Sequence, residues 1–266
     1  EQFTVGNDRI LDIKLAPYDV KASIAHAQML VKVGLITSEE GEALVAVLEA
    51  MLPEVSAPGF TIEANFEDIH SKIEHELIAQ LGDAGKKIHT ARSRNDQVLV
   101  AMHLYLKDEL QTIKNLCLAL FDGLMQAAAN HKDVALPGYT HLQVAMPSSF
   151  GLWFSAYAES LIDDLYLVDA ALKVVDQNPL GSAAGYGSCF PVDREFTTQA
   201  LGFAQLKVNA VAAQMSRGKL EKSTGMALSA IGSTLAKFSM DVCLYMGQDF
   251  NFISFPDNLT TGSSIM

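Results

Sequence analysis

The chain has 266 residues, nearly half of them apolar, with 31 acidic against 19 basic side chains and a formal net charge of −12. That length allows one large domain or two small ones, and burying a sizeable core presents no difficulty. The acidic balance argues against nucleic acid or an anionic membrane as the main partner, while a local field in a cleft still admits an anionic substrate.

Cys117, Cys189 and Cys243 follow no CxxC or Cys/His spacing. Buried free thiols in a reducing compartment are therefore expected, and neither a metal nor a cofactor is called for. No signal-peptide pattern opens the chain, and no apolar run of the ~18 residues required by a membrane helix is read from it. A cytoplasmic protein without membrane contact is expected. The first residue is not Met and the last ones fall inside a polar motif, so both ends are expected to continue in a longer protein.

The first expected helix covers residues 19–33 and stops at Gly34. Thr37 with Glu40 forms a capping-box pair opening a second, which is expected to end before Pro53. Pro58-Gly59 marks a turn. A third helix over 68–81 places Ile69, Ile73, Leu77 and Leu81 on one face, closed by Gly82. These short helices predict an N-terminal helical domain over residues 1–88.

From residue 89 the scale changes. Leu99, Met102, Leu106, Leu110, Ile113, Cys117, Leu120 and Leu124 recur three and four apart. Phe154, Ala158, Leu161, Leu165, Val168, Leu172 and Val175 repeat the pattern after Pro147, and Leu228, Ile231, Leu235, Phe238, Val242 and Tyr245 do so again. Between the last two runs lie a Gly-rich loop, 181–187, and a short helix near 193–201. Helices of ~30 residues are ~45 Å long, and stripes of that length need partners along their whole extent. No convincing period-two segment is present, so the expected fold class is all-α, with residues 89–266 forming a long-helix bundle.

Three polar islands sit at the ends of these stretches: His89 to Gln97, Gly138 to Pro147, and Thr260 to Met266. If the long helices run up, down and up, the second and third islands share one end of the bundle. The first then lies at the other end, ~45 Å away by helix rise. One subunit is not expected to unite them; a second subunit packed antiparallel is.

In the first island, free N–H groups at a helix N-terminus suit a carboxylate ligand, Ser93 and Asn95 can hydrogen-bond a polar substrate, and Arg92 or Arg94 can pair with its acid. The competing reading is a capped helix start, with Asp96 as the cap and both arginines in solvent. In the second island His141 stands near Thr140 and Gln143 and can relay protons, or be structural; His70, near Asp68, carries the same ambiguity. His26, His75, His103 and His131 read as helix-surface or core residues. Ser263, in the third island, needs local positive potential to act as a base. Without a GxSxG elbow or a strand to carry one, a serine hydrolase is a weak reading.

Taken together, HTARSRNDQ, GYTHLQ and TTGSSIM resemble the signature segments of argininosuccinate lyases, within the fumarase/aspartase superfamily. Asn178 to Ala184 and Phe190 to Arg194 are also similar, and the resemblance covers essentially the whole chain. It implies a homotetramer built on a central bundle, active sites shared by three subunits, and reversible elimination of argininosuccinate to arginine and fumarate. It implies Ser263 as general base and His141 as an aid to proton transfer. Thr140, Ser93, Arg94 and Asn95 are implied as substrate-binding, with Asp68, His70, Asp8 and Arg9 as further contacts. Members usually continue with Pro-Gln-Lys-Lys-Asn-Pro and a glutamate that orients the histidine, so these residues alone are expected to be inactive. The segment Ser216-Arg217-Gly218-Lys219 lacks the usual Arg-Asp-Phe, which counts against Arg217 as a ligand residue. The alternatives are a sister lyase acting on adenylosuccinate and an inert structural homologue of the lens delta-crystallin kind.

Overall fold

The computed structural model describes residues 5–262. Its first half carries α1 (Asp8–Leu11), α2 (Ala16–Lys32), α3 (Ser38–Val55), α4 (Ile69–Leu81), α5 (Asp83–Lys86) and α6 (Arg94–Asn130). Then follow β1 (Ala135–Thr140), β2 (Gln143–Ser149), α7 (Phe150–Val175), β3 (Gln177–Asn178), α8 (Arg194–Ala200), β4 (Gln205–Leu206), α9 (Ala210–Gln214) and α10 (Lys219–Tyr245). The class is all-α as the periodicity predicts, with two small two-stranded sheets added. The chain packs as two units: residues 1–111 with 171–224, and residues 112–170 with 225–266.

In the first unit, α2, α3 and α4 enclose a core of Val20, Leu30, Leu44, Leu48, Ile69, Ile73 and Leu77. Gly41 lets α2 and α3 approach: a Cβ there would lie 2.0 Å from Val31 Cγ2. The Thr37–Glu40 capping box forms in both directions, at 3.2 and 3.1 Å. The second helix does not stop before Pro53 but runs on to Val55. Pro53 faces solvent, while Val55 is buried in the core; burying that side chain offsets the backbone hydrogen bond that proline omits. A smaller core joins Val100 and Leu104 of α6 to Ala22, Leu180 and Phe203.

In the second unit, Leu120, Leu124, Phe154, Ala158, Leu161 and Phe238 pack together. An aromatic cluster around Phe150, Trp153, Tyr157 and Tyr245 adjoins them. Asp241 Oδ2 anchors that cluster, accepting from Trp153 Nε1 at 3.0 Å and from the Tyr157 hydroxyl at 2.6 Å. The second polar island, 138–147, where no period-two segment is read from the sequence, lies in an antiparallel hairpin pairing Ala135 with Ser149 through to Thr140 with Gln143, with an irregularity at Gly138/Tyr139. His141 and Leu142 form its two-residue turn, both with positive φ, 52° and 59°. That is the backbone shape matching the twist of a tight hairpin.

Two further expectations change. Cys117 is buried, but Cys189 and Cys243 are exposed, all three being free thiols. α10 is, by length and composition, apolar enough to cross a membrane, with a mean hydropathy of 1.2 over its best window and 11% of that window buried. Phe238 and Tyr245 of this helix pack in the second unit, while its Met226 and Met240 are exposed.

Candidate active site

The first island is knitted into the first unit by its acidic residue. Ser93 immediately precedes α6, and its hydroxyl accepts from Asn95 N at 3.2 Å. Asp96 is not the cap itself but the third residue of the helix, reaching back to Ser93 N at 2.9 Å. Its other oxygen accepts from Gly181 N at 2.9 Å and Ala183 N at 3.0 Å. One buried carboxylate thus ties the start of α6 to the Gly-rich loop. Burial pushes Asp96 above the usual carboxylate range, against the three backbone N–H groups that favour its charge. Arg194 braces the same loop from behind, donating to Leu180 O at 2.9 Å and Lys207 O at 2.8 Å.

The arginines are not free in solvent. Arg92 is half-buried, donates to Ser23 Oγ at 2.9 Å, and leaves its Nε buried without a protein partner. Arg94 donates to Asp68 Oδ2 at 2.9 Å and to Ser71 Oγ at 3.1 Å. Asp68 in turn caps α4, its Oδ1 accepting from Ser71 N and Ser71 Oγ, both at 2.7 Å. Burial opposes its ionisation, but the Ser71 donors and the His70 and Arg94 charges hold it below the usual range. Asp68 thus orients Arg94 while itself lining the cleft described below.

Beneath this surface lies a polar network. His70 Nδ1 is 3.0 Å from Asp19 Oδ2, and both side chains are buried. Gln97 Nε2 donates to Asp19 Oδ1 at 2.9 Å and to Oδ2 at 3.1 Å. Burial works against charge on both partners. The His70 charge nevertheless holds Asp19 below its ordinary range, while Asp19, Asp68 and Asp12 raise His70 above its own.

Of these residues Asp68 and His70 border a cleft of about 460 Å³, lined also by Asp8, Leu11, Asp12, Lys14, Leu15, Val98, Met102, Tyr105 and Arg217, whereas Ser93, Arg94 and Asn95 are not among its lining residues. Three sequence-predicted contacts, Asp8, Asp68 and His70, therefore share it. Arg9 is not among the lining residues; its Nε donates to Phe66 O at 2.9 Å and pins α1 to the segment before α4. Asn95 is exposed one turn ahead of the lining row Val98, Met102 and Tyr105. Arg217, set aside on sequence grounds, does line the cleft and brings a guanidinium to it. Lys14 and Tyr105 also went unread; the i, i+4, i+7 row ending in Tyr105 is the signal that exposes that tyrosine. Two cations and an imidazole beside carboxylates suit a small zwitterionic, polycarboxylate ligand.

Thr140 and His141 belong to the second unit, exposed at the tip of the hairpin. Ala91, His141, Leu142 and Ala183 are four of the five non-glycine residues with positive φ among those described, and all fall in the segments picked out from sequence. Such strain costs about 1–3 kcal/mol per residue and tends to accompany functional geometry. Ser263 lies outside the described residues.

Residues 3–266 match the family described as Lyase. The chain belongs to this lyase family. It is 53% identical over 264 residues to an argininosuccinate lyase of Parabacteroides distasonis, covering 99% of this chain and 59% of that relative. An argininosuccinate lyase of Phocaeicola vulgatus is 51% identical over 266 residues, with 100% and 60% covered. One of Thermotoga neapolitana is 43% identical, with 100% and 67% covered. Among solved structures, an EDDS lyase variant with bound fumarate superposes with a TM-score of 0.87 at 24% identity, over 95% of this chain and 50% of that one. A fumarate lyase from Mesorhizobium sp. BNC1 gives 0.78 at 18% identity, over 95% and 60%. These structural likenesses establish the shared fold of the lyase family. The chain spans about 60% of the length of the first two curated relatives.

Proposed function

We propose that the complete protein is an argininosuccinate lyase, eliminating fumarate reversibly from argininosuccinate to release arginine. The observation that carries this reading is the 53% identity to an argininosuccinate lyase along 264 residues. In the proposed reaction Ser263 takes the proton from the carbon beside a succinyl carboxylate. The electron pair forms the fumarate double bond as the C–N bond breaks, and the guanidino nitrogen leaves with a proton whose transfer His141 assists. The intermediate carries extra charge on its carboxylate, so fixed N–H donors stabilise the step most. Ser93, Asn95, Thr140 and Arg94 are assigned to the substrate. His70, Asp8 and Asp68 serve the cleft, Asp68 together with Arg94, while Arg9 holds α1, and with it Asp8, in place. No metal or cofactor is required by this chemistry.

The same reading makes the enzyme a cytoplasmic homotetramer with sites pooled between subunits, and its domains residues 1–88 and 89–266. Exposed Leu116, Leu152, Tyr166, Met226 and Met240 on the long helices support the assembly, since apolar surface of this extent seeks a partner. Free, exposed Cys189 and Cys243 fit a reducing compartment.

The test is full-length protein incubated separately with argininosuccinate and adenylosuccinate while fumarate absorbance is followed. Turnover of argininosuccinate is expected, with kcat lowered at least ~100-fold by Ser263→Ala. Turnover of the adenylate adduct alone, or of neither, overturns the assignment; near-normal turnover by S263A removes Ser263 from its role.

A further inference from the structure

We infer that Asp19 is a positioning residue for this cleft: a buried carboxylate that holds His70 in one orientation, with its Nε2–H available to a carboxylate of the ligand. The ligand class rests on the proposed function, but the pairing of Asp19 with His70 stands on geometry alone.

Asp19 is fully buried, so its charge must be met inside the protein. Gln97 meets part of it as a neutral donor through the contacts at 2.9 and 3.1 Å. The imidazole at 3.0 Å supplies the remaining close donor. A carboxylate accepts only, so Nδ1 must carry the hydrogen, which fixes the ring's flip and assigns Nε2 to the cleft that His70 lines.

Charge follows from the surroundings. Asp19 of α2, Asp12 following α1 and Asp68 at the start of α4 all act on the ring, and each favours the imidazolium. Asp8, Lys14, Tyr105 and Arg217 line the same cleft, and Arg92 acts on Asp19 from the other side. A neutral ring would leave a buried carboxylate facing only Gln97 and the more distant Arg92. A charged ring closes the account and presents a cationic donor to the cleft, which with Arg217 favours a dicarboxylate over a neutral ligand. Asp19 reaches this ligand only through His70.

The test uses full-length protein with selectively ¹⁵N-labelled histidine, the His70 signals being assigned by their loss in His70→Asn. In the wild type both ring nitrogens of His70 are expected to be protonated at pH 7.5; a neutral ring there overturns the inference whatever any variant does. In Asp19→Asn the His70 midpoint is expected to fall by at least about one pH unit. KM for argininosuccinate should rise about tenfold or more at pH 7.5, with a smaller change in kcat. An unmoved midpoint in folded D19N overturns the inference, and Asp19→Glu should restore the midpoint in part. A charged His70 in a protein that turns over no argininosuccinate refutes the functional assignment and leaves the Asp19–His70 pairing intact.

Discussion

Lowering the pH should destabilise the first unit through His26. Its Nε2 lies 3.0 Å from Thr90 O, a carbonyl that can only accept, so Nε2 bears the hydrogen and Nδ1 is the bare nitrogen. Nδ1 is buried without a hydrogen-bond partner. Protonation would therefore place a charge and an unpaired donor in the interior, beside the Arg92 guanidinium. Burial, then Arg92, press its pKa from 6.5 to about 3, with the Thr90 carbonyl opposing. For a base with a depressed native pKa, the unfolded chain binds the extra proton first. The stabilising contribution is complete above pH 6.5 and is lost as pH falls towards about 3. Each pH unit in that window is worth about 1.4 kcal/mol, so the loss between pH 7.5 and 4.5 should reach about 2.5 kcal/mol. His26→Gln supplies a comparable donor to Thr90 without titrating. Urea unfolding of both proteins across this range isolates the effect as the difference of their pH slopes, which cancels shared contributions from Asp19 and His70. Parallel slopes for wild type and H26Q would refute the reasoning, because they would mean that His26 titrates normally in the fold.

Three further outcomes are expected. Gly181 has φ of +84°, and a Cβ there would meet Arg194 Cγ at 2.7 Å; Gly181→Ala should cost about 2–4 kcal/mol in urea unfolding, and unchanged stability would show that the loop relaxes freely. Asp241→Leu strips Trp153 and Tyr157 of their shared acceptor and should cost about 2–5 kcal/mol. Its unfolding can be followed by the fluorescence of Trp153, the single tryptophan of the chain. His141→Asn should preserve the hairpin, since asparagine tolerates the positive φ of 52°. In the full-length protein it should reduce kcat about 100-fold with sedimentation unchanged, whereas dissociation into monomers would make His141 structural.

What could be read directly from the chain was whatever repeats locally. The three- and four-residue spacing of Leu99 to Leu124 and the Thr37–Glu40 cap each depend on neighbours within a turn or two, so the pattern itself contains the physics. The polar islands were legible for a similar reason: unusual residues clustered where the apolar stripes end. The hairpin over 135–149 was not legible, because its strands carry Pro137 and Pro147, and a His-Leu turn lacks the Asn-Gly signal such turns usually show. The continuation of α3 past Pro53 depended on Val55 finding the core, which no local propensity records.

The cleft was decided by tertiary structure alone. Asp19 and Gln97 are 78 residues apart, as distant in sequence as any two surface residues, and only packing α2 against α6 makes them one group. Tertiary packing likewise brings Arg217 to the cleft and Arg94 of α6 to Asp68 at the start of α4. Helix identity is a property of short stretches, whereas charge state and orientation depend on what burial excludes and which groups it leaves to answer one another.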